Sequence, residues 1–278
     1  MFHRLLKRSA PVRAPERPRV PEGTVVWAVG DIHGRHDLLR PLLEEMLADI
    51  ERTASPRTQV IFLGDYVDRG PASRDVIRTL AALPDCDAIE WRFLKGNHEE
   101  TMVKFLDDPS LGAQWCEYGG DATLRSYGLR TPDMKHRIEA WRRLSSDLEH
   151  KLEGREREFL SRLELAVEAG DYFFTHAGAR PGVALDRQSP EDLMWIRSSF
   201  LRSEAEFDKV IVHGHTPAAE VHADRRRIGI DTRAYESGVL TALRLQGEER
   251  RVLQTAGPGN ALRWMDLPSR MDMAAAIL

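Results

Sequence analysis

Five short apolar runs constrain this chain more than any other feature, because each stops at the same kind of loop. Val25–Val29 runs into Gly30-Asp31-Ile32-His33-Gly34, and Val60–Leu63 into Gly64-Asp65-Tyr66-Val67-Asp68-Arg69-Gly70. Ile89–Leu94 is followed by Gly96-Asn97-His98-Glu99, Tyr172–Phe174 by Thr175-His176-Ala177-Gly178, and Val210–Val212 by His213-Gly214-His215-Thr216. Such runs, rich in β-branched and aromatic residues and bounded by glycine, predict buried strands. Asp37–Ile50 places Leu38, Leu39, Leu42, Leu43, Met46 and Leu47 near the helical period, and Ser73–Leu83 does so with Val76, Ile77 and Leu80 after Pro71. Strands alternating with helices predict a layered α/β fold.

The remaining segments differ in kind. Thr101–Gly170 is charged and helical in pattern, with Trp115 and Trp141, and is expected as a helical insertion over the main sheet. Arg227–Gln254 contains Ile228–Ile230, Val239–Leu245 and Arg251–Leu253, expected as antiparallel strands that complete a second sheet. Residues 1–22 carry Pro11, Pro15, Pro18 and Pro21 among several arginines, which predicts a disordered basic leader ahead of one folded domain over 23–278. With 42% hydrophobic and 30% charged residues the folded part has an ordinary soluble composition. No apolar run approaches the ~20 residues that cross a bilayer. Cys86 and Cys116 form no framework or thiolate metal pattern and are expected as reduced thiols of a cytoplasmic protein. A formal net charge of −4 gives no global sign of a nucleic-acid partner, so any site for a polyanion must be built locally.

The strand-end loops supply such a site. Ligands of open α/β sheets bind at the carboxyl ends of strands. Asp31, His33, Asp65, Asn97, His176 and His215 offer oxygen and imidazole donors with no thiolate, a mixture that suits manganese, iron or zinc. Six donors exceed one tetrahedral ion and fit two ions sharing a carboxylate, the usual clamp for displacement at phosphorus. Two divalent cations outweigh Asp31, Asp65 and a bridging hydroxide, so an acidic chain acquires a positive pocket. Arg69 adds a planar guanidinium that matches phosphate oxygens. A single Asp-x-His or strand-end histidine is commonly structural; five such loops in this order are not. His3, His36, His136, His150 and His222 stand outside the loops and are expected to be structural or solvated.

Taken together these residues resemble the calcineurin-like metallophosphoesterases, and within them the PPP-type phosphoprotein phosphatases in their bacterial and phage form. The resemblance runs from about Val25 to Thr255 and is carried by Gly64–Gly70, Gly96–Glu99 and Asp192-Leu193-Met194-Trp195-Ile196-Arg197. It implies a four-layer α/β/β/α sandwich of two mixed β-sheets with flanking helices. It also implies Asp31 and His33 on a first metal, Asp65 bridging, and Asn97, His176 and His215 on a second. His98 is then the general acid, oriented by Asp68, and Arg69 and Arg197 clamp the phosphate; His213 is no ligand.

Physical chemistry agrees with part of this. Asn97 and His98 are adjacent and cannot face one ion in the same way. A serine or threonine alkoxide needs a proton donor, and a histidine held by a carboxylate stays protonated and aligned. The implied activity is a metal-dependent serine/threonine protein phosphatase, with a dinuclear metal-bound hydroxide attacking phosphorus in line. Manganese is the expected metal pair, and a phosphorylated protein or peptide the expected partner. The alternative is a diadenosine tetraphosphatase acting on a dinucleoside polyphosphate, whose family shares the Gly-Asp-x-His-Gly and Gly-Asn-His signals. Val67–Gly70, Glu99 and Trp195–Arg197 favour the protein phosphatase. A non-catalytic scaffold fits poorly with a complete ligand set and an acid–base pair. Arg233 stands where the resemblance has glycine, so a strained turn is expected, with a surface arginine favoured over a third phosphate-binding group. Substrate selection is expected in Thr101–Gly170 and near Arg180 and Tyr235.

Overall fold

The structure is a computed structural model that describes residues 13–132, 137–256 and 261–268. Residues 1–12 of the expected leader, with His3, and His136 lie outside the described residues. The first half of the chain runs β1 (Thr24–Val29), α1 (His36–Thr53), β2 (Arg57–Phe62), α2 (Ser73–Ala81), β3 (Ile89–Phe93), α3 (Asn97–Asp107), α4 (Gly112–Glu117), α5 (Gly120–Ser126), α6 (Ile138–Lys151) and α7 (Gly154–Ser161). The second half runs β4 (Ala166–Ala169), β5 (Tyr172–Thr175), α8 (Pro190–Trp195), α9 (Ser198–Leu201), β6 (Val210–His213), β7 (His222–Ala223), β8 (Arg227–Gly229), α10 (Ala234–Ser237), β9 (Thr241–Gln246), β10 (Glu249–Ala256) and β11 (Ala261–Leu267).

β1 explains why the apolar runs are continuous rather than alternating. All six of its residues are buried, because it pairs in parallel with β2 on one side and antiparallel with β9 on the other. Val25, Trp27 and Val29 pack toward α1 and α2, while Val26 and Ala28 face the second sheet. A strand covered on both faces has no solvent side to make polar.

Two mixed sheets result, in the orders β11-β10-β9-β1-β2-β3 and β4-β5-β6-β8-β7. The core between them joins Val26, Ile61, Leu243 and Leu245 to Phe174, Val212 and Ile228. The outer face of the second sheet, through Phe173 and Ile211, packs against Leu193, Ile196 and Phe200 around α8 and α9. Helices, sheet, sheet and helices thus form the expected four layers.

Three expectations change. Val239–Leu245 and Arg251–Leu253 do not complete the second sheet; they become β9 and β10 and extend the first, because β9 occupies the edge of β1 opposite β2. Only Ile228–Ile230 goes to the second sheet, through β8. β4 ends the helical stretch expected over Thr101–Gly170, and β11 lies beyond the last expected strand; both are short or polar enough to carry little apolar periodicity.

The described part of the leader is not free. Val20 N–H donates to Gly247 O at 3.2 Å, Asp171 N–H donates to Arg19 O at 2.9 Å, and Arg19 N–H donates to an Asp171 carboxylate oxygen at 2.9 Å. Residues 18–20 therefore tie the β4–β5 turn of one sheet to the β9–β10 turn of the other. Val20 is buried in the core between the sheets, and Tyr172 O–H donates to Pro18 O. Val20→Asp is expected to remove about 2–4 kcal/mol of stability, from lost apolar burial and an uncompensated charge. Urea unfolding checks this, and an unchanged midpoint would contradict the strap.

Candidate metal-binding active site

The five loops meet at one end of the two sheets, and their backbone is unusual. Seven non-glycine residues among those described have positive φ, and six of them stand in these loops or at the start of α10: His33, Asp65, Asp68, Arg69, His215 and Arg233. Such conformations are costly and persist where the surroundings impose them. Two glycines let the backbone approach a carboxylate closely. A Cβ at Gly96 would stand 2.1 Å from an Asp65 carboxylate oxygen, and one at Gly214 would stand 2.0 Å from an Asp31 oxygen.

Glu99 binds two of the loops together. Its buried carboxylate accepts the backbone N–H groups of Asp65, Tyr66, Val67 and Gly96 at 2.9, 2.7, 3.1 and 3.0 Å. Burial, with Asp65 beside it, pushes its pKa up to about 7, while the four donors favour the anion.

Hydrogen bonds fix the imidazoles. His33 Nδ1 lies 2.8 Å from Val67 O, and His176 Nδ1 lies 2.9 Å from Leu63 O. Each carbonyl assigns one proton to Nδ1 and turns Nε2 toward the site. Asn97 Oδ1 is 3.0 Å from His176 Nε2 and 2.8 Å from His215 Nδ1, and those nitrogens are 3.2 Å apart. The donor atoms of Asp65, His176 and His215 lie within 4.8 Å of one another, as do those of His33, Asp65 and His98, with Asp65 common to both groups. Asp31 belongs to neither group; its carboxylate accepts His215 N–H at 3.0 and 3.2 Å.

The electrostatics favour cations. Burial, then Asp231, pushes Asp31 well above the usual carboxylate range. Burial opposes ionisation of Asp65, but His176 and His98 outweigh it and hold its pKa well below the ordinary value. Burial lowers the His215 imidazole to about 2, with His176 and Arg197 on the same side. Burial likewise opposes a second proton on His176, yet the carboxylates of Asp65 and Asp31 raise its pKa to about 9, so at neutral pH its Nε2 carries a proton that a divalent cation would have to displace. His215 Nε2 and one Asp231 carboxylate oxygen are buried with no hydrogen-bond partner. Converging ring nitrogens and clustered carboxylates fit divalent cations.

His98 stands apart in its support. Its Nδ1 lies 2.6 Å from Asp68 Oδ2, and Asp68 also accepts Trp115 Nε1–H at 2.8 Å and Thr123 O–H at 2.7 Å. Burial opposes the imidazolium, but Asp65 and Asp68 raise the His98 pKa above its ordinary value. Arg69 places Nη1 2.9 Å from His33 Nε2 and Nη2 3.2 Å from His98 Nε2. Arg197 is exposed beside His215. His213 is buried away from the donors, with Nε2 3.2 Å from Arg227 Nη1. Arg233 is a surface arginine 3.6 Å from Glu236, on the strained turn the sequence leads one to expect. Sequence reasoning missed Asp231, whose burial beside Asp31 no motif signals, and the anchoring of Asp68 by Trp115 and Thr123.

A two-sheet sandwich with such a donor cluster at its strand ends defines a metallophosphoesterase, an enzyme acting on phosphoester bonds. The family model for calcineurin-like phosphoesterases matches residues 24–237, and the chain belongs to that family. Serine/threonine-protein phosphatase 2 of Escherichia coli is 33% identical over 97 residues, 34% of this chain and 38% of that protein. Bis(5'-nucleosyl)-tetraphosphatase PrpE of Oceanobacillus iheyensis is 25% identical over 240 residues, 80% of this chain and 88% of that protein. The crystal structure of a cold-active protein-tyrosine phosphatase of a Shewanella species aligns with a TM-score of 0.54 at 16% identity, over 96% of this chain and 89% of that one, a likeness of fold. No helix of the described residues is long and apolar enough to cross a membrane.

Glu99→Gln puts an amide N–H₂ among four N–H donors. It is expected to lower the unfolding free energy by about 2–4 kcal/mol. Denaturant unfolding checks this, and a loss under about 0.5 kcal/mol would contradict the clamp.

Proposed function

We propose that the chain is a metal-dependent serine/threonine protein phosphatase of the cytoplasm. The observation that carries this reading is the His98–Asp68 pair, 2.6 Å apart and buried, which supplies a proton to a poor leaving group. In this reading Asp31, His33, Asp65, Asn97, His176 and His215 hold two divalent ions, manganese first among iron and zinc, with Asp65 shared. When bound, the ions neutralise phosphoryl charge and make water acidic enough to be the nucleophile in an in-line displacement. His33 and His176 offer them Nε2, since the carbonyls of Val67 and Leu63 engage Nδ1, and on His176 the ion would take the place of the Nε2 proton. Arg69, over His33 and His98, and Arg197, beside His215, hold the non-bridging phosphate oxygens from two sides. His98 Nε2 gives its proton to the departing alkoxide, while Asp68, itself held by Trp115 and Thr123, keeps Nδ1–H aligned.

A second reading, hydrolysis of a dinucleoside polyphosphate, is favoured by the long alignment with the tetraphosphatase PrpE. Two exposed aromatic side chains border the site: Tyr118, next to the Gly119 that accepts Arg69 N–H, and Trp195, bonded to Glu100 on α3. Either stacks on a nucleobase as readily as it packs on a peptide.

His98→Asn is expected to slow hydrolysis of a phosphoserine peptide by about two to four orders of magnitude. The loss on an aryl phosphate, whose leaving group needs no proton, is expected to be at least tenfold smaller. Equal losses would refute the acid. Asp65→Asn is expected to abolish loading of both ions; elemental analysis that still found two per chain would refute the shared carboxylate.

A further inference from the structure

On the reading of Arg69 as a phosphate clamp, we infer that Tyr235 is the positioning residue that holds its guanidinium over the strand-end donors. The guanidinium carbon of Arg69 lies 4.6 Å from the centre of the Tyr235 ring. The same ring meets the His33 imidazole edge to face, with centroids 5.4 Å apart at 89°. One side chain therefore touches both the clamp and a donor of the site.

Arg69 needs such a support. Among the described residues no carboxylate lies within 4.0 Å of its guanidinium nitrogens, and Asp231 feels its charge only at longer range. Its backbone is fixed, with N–H donating to Gly119 O at 3.1 Å and φ at 69°. Its Nη1 and Nη2 face His33 Nε2 and His98 Nε2, atoms that the proposed reaction gives to a metal ion and to the leaving group, so the face of Tyr235 is the support that remains. Stacking on a ring holds the guanidinium plane while leaving its N–H edge free for phosphate oxygens.

The turn that presents Tyr235 is held from several sides. Arg35 Nη1 donates to Ala234 O at 2.7 Å, and Asp37 grips the rest of that guanidinium at 2.9 and 2.7 Å. Arg233 N–H donates to Asp231 at 2.9 Å, and Ser237 O–H donates to Thr232 O at 2.7 Å. The left-handed Arg233, where the family resemblance has glycine, thus opens a fixed turn whose product is the placement of the next aromatic residue. A groove of about 600 Å³ lined by Arg35, His36, Arg69, Pro71 and Tyr235 opens beside the ring, so the clamp stands where this groove meets the site.

The test is binding of inorganic phosphate to the manganese-loaded full chain by isothermal titration calorimetry, with KM and kcat on an aryl phosphate alongside. Tyr235→Phe, which keeps the aromatic face, is expected to stay within about twofold of the parent. Tyr235→Leu is expected to weaken phosphate about five- to tenfold and to raise KM more than it lowers kcat. In an Arg69→Ala background the Leu change is expected to shift phosphate affinity less than twofold. A Leu variant within twofold of the parent would overturn the inference, as would an equal loss with and without Arg69. Tyr235→Met gives a second aliphatic replacement if Leu lowers the melting temperature. Unchanged phosphate affinity in Arg69→Ala alone would remove the clamp itself, and the role of Tyr235 with it.

Discussion

Five carboxylates, those of Asp31, Asp65, Asp68, Asp231 and Glu99, are buried in one strand-end cluster, and the structure is organised around making that tolerable. Buried like charges raise one another's pKa and are costly unless compensated. Glu99 is compensated by four backbone N–H groups, Asp31 by His215 N–H, and Asp65 by the imidazoles around it. The left-handed residues His33, Asp65, Asp68, Arg69 and His215 follow from the same demand, since the backbone must bend to bring these groups within reach. Cations are the compensation that the remaining geometry suits.

The helical stretch over Thr101–Gly170 has a second role besides covering the sheet. α4 and α5 contribute Trp115 and Thr123, both buried, and both donate to Asp68. The proposed acid His98 is thus aligned by a carboxylate that the insertion holds in place. Gly119, between those helices, also fixes the Arg69 backbone. Changes in this segment therefore bear on the proposed proton donor His98 and the proposed clamp Arg69. Relatives named for serine/threonine phosphatase and for tetraphosphatase activity share the family, which fits a common centre beneath differing surroundings.

Much of this was legible in the residues, and the reason is physical. Strands covered on both faces write themselves as unbroken apolar runs, so β1, β2 and β6 stand out, and the loops at their ends announce the donors by type and order. What stayed hidden needs three dimensions. Nothing in Val239–Leu245 says which sheet edge it joins, because β9 meets β1 some 200 residues earlier in the chain. Proline-rich residues 18–20 look free by composition, yet their few backbone groups tie two turns together. Asp231 is one aspartate among many until burial sets it beside Asp31, and Tyr235 becomes informative only once its ring lies over Arg69.

The most direct measurement is a paired assay on chelator-stripped protein with and without manganese. One arm holds a phosphoserine/phosphothreonine peptide and the other diadenosine tetraphosphate. The account predicts manganese-dependent phosphate release from the peptide, with the dinucleotide left intact. Cleavage of the dinucleotide alone would contradict the protein phosphatase while keeping the metal centre, and hydrolysis of either substrate by the stripped protein at the manganese-loaded rate would contradict the centre itself.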